Sequence, residues 1–322
     1  MTLGFVRAGF TPTFAVEIDP SAAKTYSVNF GCHVYNGPVE EVDDFGKAPL
    51  LIGGPPCQGF SPLGRKGDHD SRESRNLLWQ EFVRAVRQVR PAVFVMENVP
   101  QFLRSTQFED FRKLFTEETD FSDYRVEWKV LEATDYGVPQ RRRRAIVIGS
   151  RIGPPPWPAR SHGPNDLERS VATVRDAIAD LPLAPDGENL HVARNPRSTS
   201  IERYRAVPEG GNRFDLARNR PDLLPSCWKN KATGTTDVFG RLWWDRPAYT
   251  IRTEFFKPEK GRYLHPVADR AITHREAARL QSFPDDFVFE GNLSKIAAQI
   301  GNAVPPLMAE AIAKAIQSAP GF

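Results

Sequence analysis

Cysteine is scarce in this chain: Cys32, Cys57 and Cys227 are the three in 322 residues, and no Cys-x-x-Cys pair occurs. An odd, scattered set of thiols argues against a disulfide framework and offers no zinc-ligand spacing, so no metal site is expected and a reducing, cytoplasmic setting is. Long apolar runs are missing too. None approaches the roughly 20 residues that a membrane-spanning helix needs, and the opening residues do not read as a secretory leader. Net charge is only +3, too small by itself to nominate a nucleic-acid binder. What remains, 40% hydrophobic and 26% charged, is ordinary globular composition, with length for one large domain or two modest ones.

Arginine is unevenly placed. Four run together from Arg141 to Arg144, and between 194 and 220 seven arginines stand against three acids. Arginine suits bidentate contacts to phosphates and base edges, although a solvated surface would carry the same pattern.

The first 150 residues alternate strand-like and helix-like segments. "TFAVEID" (13–19) reads as a strand and "PSAAKTYSVNF" (20–30) as a helix, with Asp19 as its N-cap and Pro20 in its first position. "PLLIGG" (49–54), "AVFVMENV" (92–99), "RVEWKVLEA" (125–133) and "RAIVIGS" (144–150) read as further strands, with helices near 76–89 and 108–119. Such alternation predicts a mostly parallel sheet covered on both faces, whose ligands sit beyond the strands' carboxyl ends. Between 151 and 245 proline, arginine and turn residues dominate, predicting a smaller, irregular second domain. Helical patterns return at "THREAARLQSF" (273–283) and "PPLMAEAIAKAI" (305–316).

Three strand ends carry chemistry. In "GGPPCQGFS" (53–61), Cys57 follows a buried strand on a turn that Gly53, Gly54, Pro55 and Pro56 constrain, a rigid mount for a nucleophile. A small buried thiol is the alternative. "MENV" places Glu97 and Asn98 just past an apolar strand, where a carboxyl is either a surface charge or an acid–base group. "YGVPQRRRRAIVIGS" brings Arg142 and Arg144 to one face of a strand and Arg141 and Arg143 to the other. A thiol, a carboxyl and a guanidinium therefore converge on one rim.

These stretches, with "REAARLQSFPDDF" and "QIGNAVPP", occur in the order and approximate spacing found in cytosine-5 DNA methyltransferases, and the chain resembles the bacterial type of that family. The resemblance implies an α/β, Rossmann-like S-adenosylmethionine-dependent methyltransferase domain with a smaller, irregular target-recognition domain. Residues 1–150 would form the first part of the catalytic domain, 151–245 the recognition domain, and 246–322 a return segment and closing helix. It implies methyl transfer from S-adenosylmethionine to carbon 5 of a flipped-out cytosine in a specific short sequence of double-stranded DNA. Cys57 would form the covalent adduct at carbon 6, and protonated Glu97 would engage ring nitrogen 3. Arg144, or else Arg142, would hold the cytosine carbonyl, and Asn98 would help position the group. Glu17 matches the acid that bonds the cofactor ribose, and Ile18 the residue against adenine; Val39, Pro55, Leu77, Asn302 and Val304 match other cofactor-lining positions. Gln58, Ser61 and Arg142 would touch DNA. A monomer is expected, with a restriction endonuclease encoded nearby as a possible partner.

The sequence departs from the family in two places. The family opens with a strand and a glycine-rich loop that this sequence lacks, so the natural protein is expected to start upstream of Met1; Pro38 also stands where an aspartate usually meets adenine. The alternatives are a DNA-binding protein of the same fold that is inactive without the loop, and a tRNA cytosine-5 methyltransferase. The latter branch carries Cys-Phe-Thr where this chain has "SCWKN" (226–230). Cys227 is expected to be structural or superficial, His274 to lie on a helix surface, and Trp243 and Trp244 to serve in core packing.

Overall fold

Residues 1–56, 78–116, 120–163, 169–229 and 235–322 are described by a computed structural model. The chain divides into two compact units, one of Met1–Tyr136, Arg142–Ser161 and Pro306–Phe322, the other of Gly137–Arg141 and His162–Pro305.

The first unit holds two sheets. Helix α1 (Thr2–Arg7) precedes β1 (Ala15–Glu17), and α2 (Pro20–Phe30) joins β1 to its parallel partner β2 (Val34–Asn36). Asp19 caps α2 by accepting the Ser21 and Ala22 amides at 2.9 and 3.2 Å, with proline in the first turn, where no amide partner is needed. The second sheet contains β3 (Leu50–Gly53), β4 (Val93–Asn98), β5 (Arg125–Glu132) and β6 (Arg143–Ser150) in the order β3-β4-β6-β5. Among the described residues, β1 and β3 each leave one edge unpaired.

The sheet is less parallel than the alternating pattern predicts. β3 and β4 run parallel, but β6 is antiparallel to both β4 and β5. The reason is the connection: residues 133–142 between β5 and β6 hold only the short turn Ala133–Tyr136, not the crossover helix a parallel return requires.

Helices α3 (Leu78–Val89) and α4 (Thr106–Thr116) build an aromatic core, in which Trp79, Phe82, Phe108, Phe111 and Phe115 cluster with Phe94, Met96 and Val147. Each such buried side chain contributes about 1.5–3 kcal/mol. The opposite side of the same strands carries Val95, Ile146 and Ile148, also buried. α1 packs on the closing helix, Pro306–Gln317, at Gly4. A Cβ there would come within 2.5 Å of the Glu310 nitrogen and the Pro306 oxygen.

The second unit is irregular. Its helices are α5 (Val174–Ile178), α6 (Ser198–Arg205), α7 (Arg213–Asn219), α8 (Ser226–Lys229), α9 (His274–Leu280) and α10 (Leu293–Asn302), with a two-stranded sheet of β7 (Gly240–Arg241) and β8 (Arg262–Leu264). Backbone outside helices and sheets still needs hydrogen-bond partners, and buried arginines provide them. Arg241, 4% exposed, donates to the carbonyls of Tyr204, Val207, His265 and Ala268. Arg262 donates to those of Gly210, Gly211 and Arg241. In the 194–220 stretch, Arg203 bonds the Leu223 carbonyl, while Arg205, Arg218 and Arg220 pair with Asp269, Asp215 and Asp222. Much of the local arginine excess is therefore spent inside the unit.

His274 corrects an expectation. It is 5% exposed rather than superficial, with Nε2 2.9 Å from the Leu293 carbonyl and its ring against Phe255 and Phe256. The helical period of α9 leaves no outer face, because all but one of its residues are buried. Trp243 and Trp244 are half-buried, Cys227 is exposed, and α10 was not legible as a helix in the sequence.

Candidate active site

The register of the second sheet places the polar groups. Glu97 lies opposite Ile146 on β6, so Arg144, two residues earlier on the same face, is its diagonal neighbour. Arg144 Nε meets Glu97 Oε1 at 2.7 Å, and both side chains are only 13% exposed. A second guanidinium donor, Nη1, bonds the Arg143 carbonyl at 2.8 Å. A pair this sheltered is screened little by water and salt, so its geometry is held.

β3 ends beside it. The Cβ that Gly54 lacks would sit 3.2 Å from Glu97 Oε2, so glycine keeps space open at the oxygen that Arg144 Nε leaves free. Asn98, 4% exposed, donates from Nδ2 to the Pro55 carbonyl at 3.2 Å and accepts the Val99 amide through Oδ1 at 2.9 Å. Asparagine thus ties the proline turn to the end of β4. Cys57 is the next residue but one after Pro55; Cys57, Gln58, Ser61 and Leu77 lie outside the described residues.

Of the four consecutive arginines, Arg142 is 1% exposed and Arg144 half-buried, whereas Arg141 and Arg143 are exposed. The Arg142 amide donates to Glu132 Oε1 at 2.7 Å. Sequence reasoning passed over Glu132; its one signal is an acid standing just before the "ATDYGVPQ" turn.

At the end of β1, Glu17 accepts the Asp19 amide through Oε1 at 2.9 Å. Burial pushes its carboxyl above the ordinary range, against the pull of that amide. Ile18 beside it is 67% exposed, an apolar side chain with no cover among the described residues. Val39, half-buried, opens the short turn Val39–Glu41. Asn302 ends α10 exposed and Val304 is 6% exposed; both belong to the second unit.

Comparison with known proteins turns this geometry into an assignment. The family described as C-5 cytosine-specific DNA methylase matches residues 1–318. This chain belongs to that family. The methyltransferase is 38% identical over 329 residues to the Type II methyltransferase M1.HphI of Haemophilus parahaemolyticus, covering 98% of this chain and 83% of that one. It is 31% identical to the Type II methylase M.HgiDII of Herpetosiphon aurantiacus, with 98% and 92% covered. Among solved structures, a prophage-encoded DNA modification methyltransferase from E. coli superposes with a TM-score of 0.72 at 26% identity, covering 98% of this chain and 94% of that one. The S. pombe Dnmt2 methyltransferase shares the fold, with a TM-score of 0.65 at 14% identity over 97% and 92%.

The methyltransferase is thus a DNA cytosine-5 enzyme of Rossmann-like α/β fold that uses S-adenosylmethionine and works through a cysteine adduct. The end of β1 fits the adenosine half of that cofactor. It presents a carboxylate able to accept ribose hydroxyls and an uncovered apolar side chain beside it. No helix among the described residues is long and apolar enough to cross a membrane.

Proposed function

We propose that the rim formed by Gly54, Pro55, Glu97, Asn98 and Arg144 is the catalytic face, with Cys57 as its nucleophile. Carbon 5 of cytosine is too weak a nucleophile to accept a methyl group directly. Addition of the Cys57 thiolate to carbon 6 moves electron density to carbon 5. Glu97 Oε2 hydrogen-bonds ring nitrogen 3 and holds a proton against the charge developing there, while Arg144 steadies Glu97 and donates to the ring carbonyl. Bound S-adenosylmethionine supplies an electrophilic methyl group. Loss of the carbon 5 proton then lets Cys57 leave. A stacked cytosine cannot reach such a rim, so the base is flipped from the duplex.

The observation that carries this reading is the sheltered Glu97–Arg144 pair with Gly54 open beside it. Glu17 and Ile18 bind the adenosine part of the cofactor, with Val39, Pro55 and Leu77 lining more of it. Gln58 and Ser61 contact DNA, whereas Arg142, expected from the sequence to do so, is 1% exposed and withheld from it by its burial. Residues 151–245 read a short specific duplex sequence. Of the expected return segment 246–322, Pro306–Phe322 belongs to the unit that carries the catalytic rim, while the stretch up to Pro305 folds with the second unit. In the second unit, exposed Arg246 stands over Trp243 at 4.9 Å with no carboxylate partner among the described residues, a cation available to phosphate. The enzyme acts as a cytoplasmic monomer in this reading, and the relatives' Type II names favour a cognate endonuclease encoded nearby. Bisulfite sequencing of plasmid from cells expressing the chain tests the reading. Methylation at one motif that disappears with Cys57→Ala is the expected result; unmethylated plasmid with folded protein, or methylation surviving that substitution, refutes it.

A further inference from the structure

We infer that Glu132 is a positioning residue for the catalytic arginine. The inference rests on the reading of Arg144 and Glu97 given above and adds a residue to it.

β6 outruns one of its neighbours at the end that matters. Asn98, the last residue of β4, pairs with Ala145, so Arg143 and Arg144 have no β4 partner and are held by β5 alone. β5 stops almost at once: Glu132 pairs with Arg143, and Ala133 opens the turn Ala133–Tyr136. In a continued antiparallel ladder, Arg142 and Ala133 would exchange two backbone bonds. Only one is made, from the Ala133 amide to the Arg142 carbonyl at 3.0 Å. The other donor, the Arg142 amide, is met by the Glu132 carboxylate at 2.7 Å.

Arg142 is 1% exposed, so water does not replace that acceptor readily. A side chain therefore completes the last rung of the ladder, two residues before the guanidinium that holds Glu97. Without it, the rung at residue 142 keeps only the Ala133–Arg142 bond, with the next anchor one residue earlier, where the Arg141 amide donates to the Ala248 carbonyl at 2.8 Å. The Arg144 side chain then loses part of the fixed base from which it reaches Glu97 Oε1. Positional slack of about 1 Å at reacting groups lowers rate on the order of 100-fold. Glutamine at 132 keeps an oxygen acceptor; alanine does not.

The test uses the full chain, unmethylated plasmid and tritium-labelled S-adenosylmethionine, with Glu132→Ala, Glu132→Gln and Arg144→Ala compared under single-turnover conditions. Cofactor affinity and thermal melting serve as folding controls. The expected result is a 10- to 100-fold slower transfer step in Glu132→Ala, KM for cofactor within about twofold of the parent, and recovery to within about threefold in Glu132→Gln. Undiminished transfer by Glu132→Ala while Arg144→Ala is inactive overturns the role of Glu132 and leaves that of Arg144 intact. Full activity in Arg144→Ala instead overturns the underlying site reading. If glutamine is as damaging as alanine, an acceptor for the Arg142 amide is not what residue 132 provides, and the inference fails. A loss of rate only in proportion to a lost folded fraction fails it equally.

Discussion

Mild acid should loosen the second unit through a single histidine. His265 is 2% exposed; its Nδ1 accepts the Ala268 amide at 3.0 Å and the Val267 amide at 3.3 Å, leaving Nε2 to carry the proton toward Glu276 Oε1, 3.8 Å away. Burial lowers its pKa from 6.5 to about 4, opposed by the charge of Glu276 and helped by Arg270, Arg241 and His191. The folded protein thus binds this proton less readily than the unfolded chain. The stability that neutral His265 supports is complete above about pH 6.5, drains as pH falls, and is fully lost below about 4, a total of about 3 kcal/mol, of which about 2 kcal/mol is gone by pH 5. Against a domain stability of about 5–15 kcal/mol that is large. Urea unfolding followed by tryptophan fluorescence at pH 7.5, 6 and 5 measures it. His265→Asn retains an acceptor for the Ala268 amide without the titration, so its stability should fall distinctly less over that interval. His274, also lowered by burial, adds to the slope in both proteins and cancels in the comparison. Equal slopes for parent and variant would refute the reasoning.

Arg144→Ala leaves the Glu97 carboxylate sheltered without its partner, and methyl transfer should fall about 100- to 10,000-fold while cofactor binding by calorimetry stays near the parent's; a loss under tenfold would remove Arg144 from the chemistry. Gly54→Ala forces Glu97 Oε2 to give by a few tenths of an ångström. It should slow transfer about tenfold with a melting midpoint little changed, whereas a lowered midpoint at full rate would make Gly54 merely a packing residue. Glu17→Gln should weaken S-adenosylmethionine binding on the order of tenfold. Because burial raises the Glu17 carboxyl, parent affinity should begin to fall at a higher pH than an ordinary glutamate would give as the medium is acidified, and the variant should lack that fall; pH-independent calorimetric affinity in both would exclude a charged Glu17 contact.

Part of this architecture is local physics and could be read residue by residue. The α2 start at Asp19 and Pro20 follows from capping geometry, as does that of α9, where Thr273 and Glu276 form a reciprocal box. Apolar runs ending in "GG" and "EN" marked where β3 and β4 stop, and so where ligands could be met. The α10 helix escaped because it follows Gly291 in a stretch whose short polar residues read as loop; its Asn292 cap accepts the Lys295 amide, a signal that becomes clear only with the helix behind it. His274 escaped because burial on every side of a helix leaves no periodicity to read.

The sequence by itself determined the order of strands and helices, the turn chemistry and the side-chain types delivered to one rim, since these depend on neighbours a few residues away. Alternation brought Arg142 and Arg144 to the same face of a strand without choosing between them. Only the β4–β6 register, which pairs Asn98 with Ala145, sets Arg144 rather than Arg142 on the diagonal from Glu97. Tertiary structure likewise decided that Arg241 and Arg262 serve buried carbonyls instead of phosphates, and that Glu132 meets an amide ten residues away. Hydrogen-bond demand inside a folded unit is set by which backbone groups are left unpaired there, and no local stretch of sequence records it.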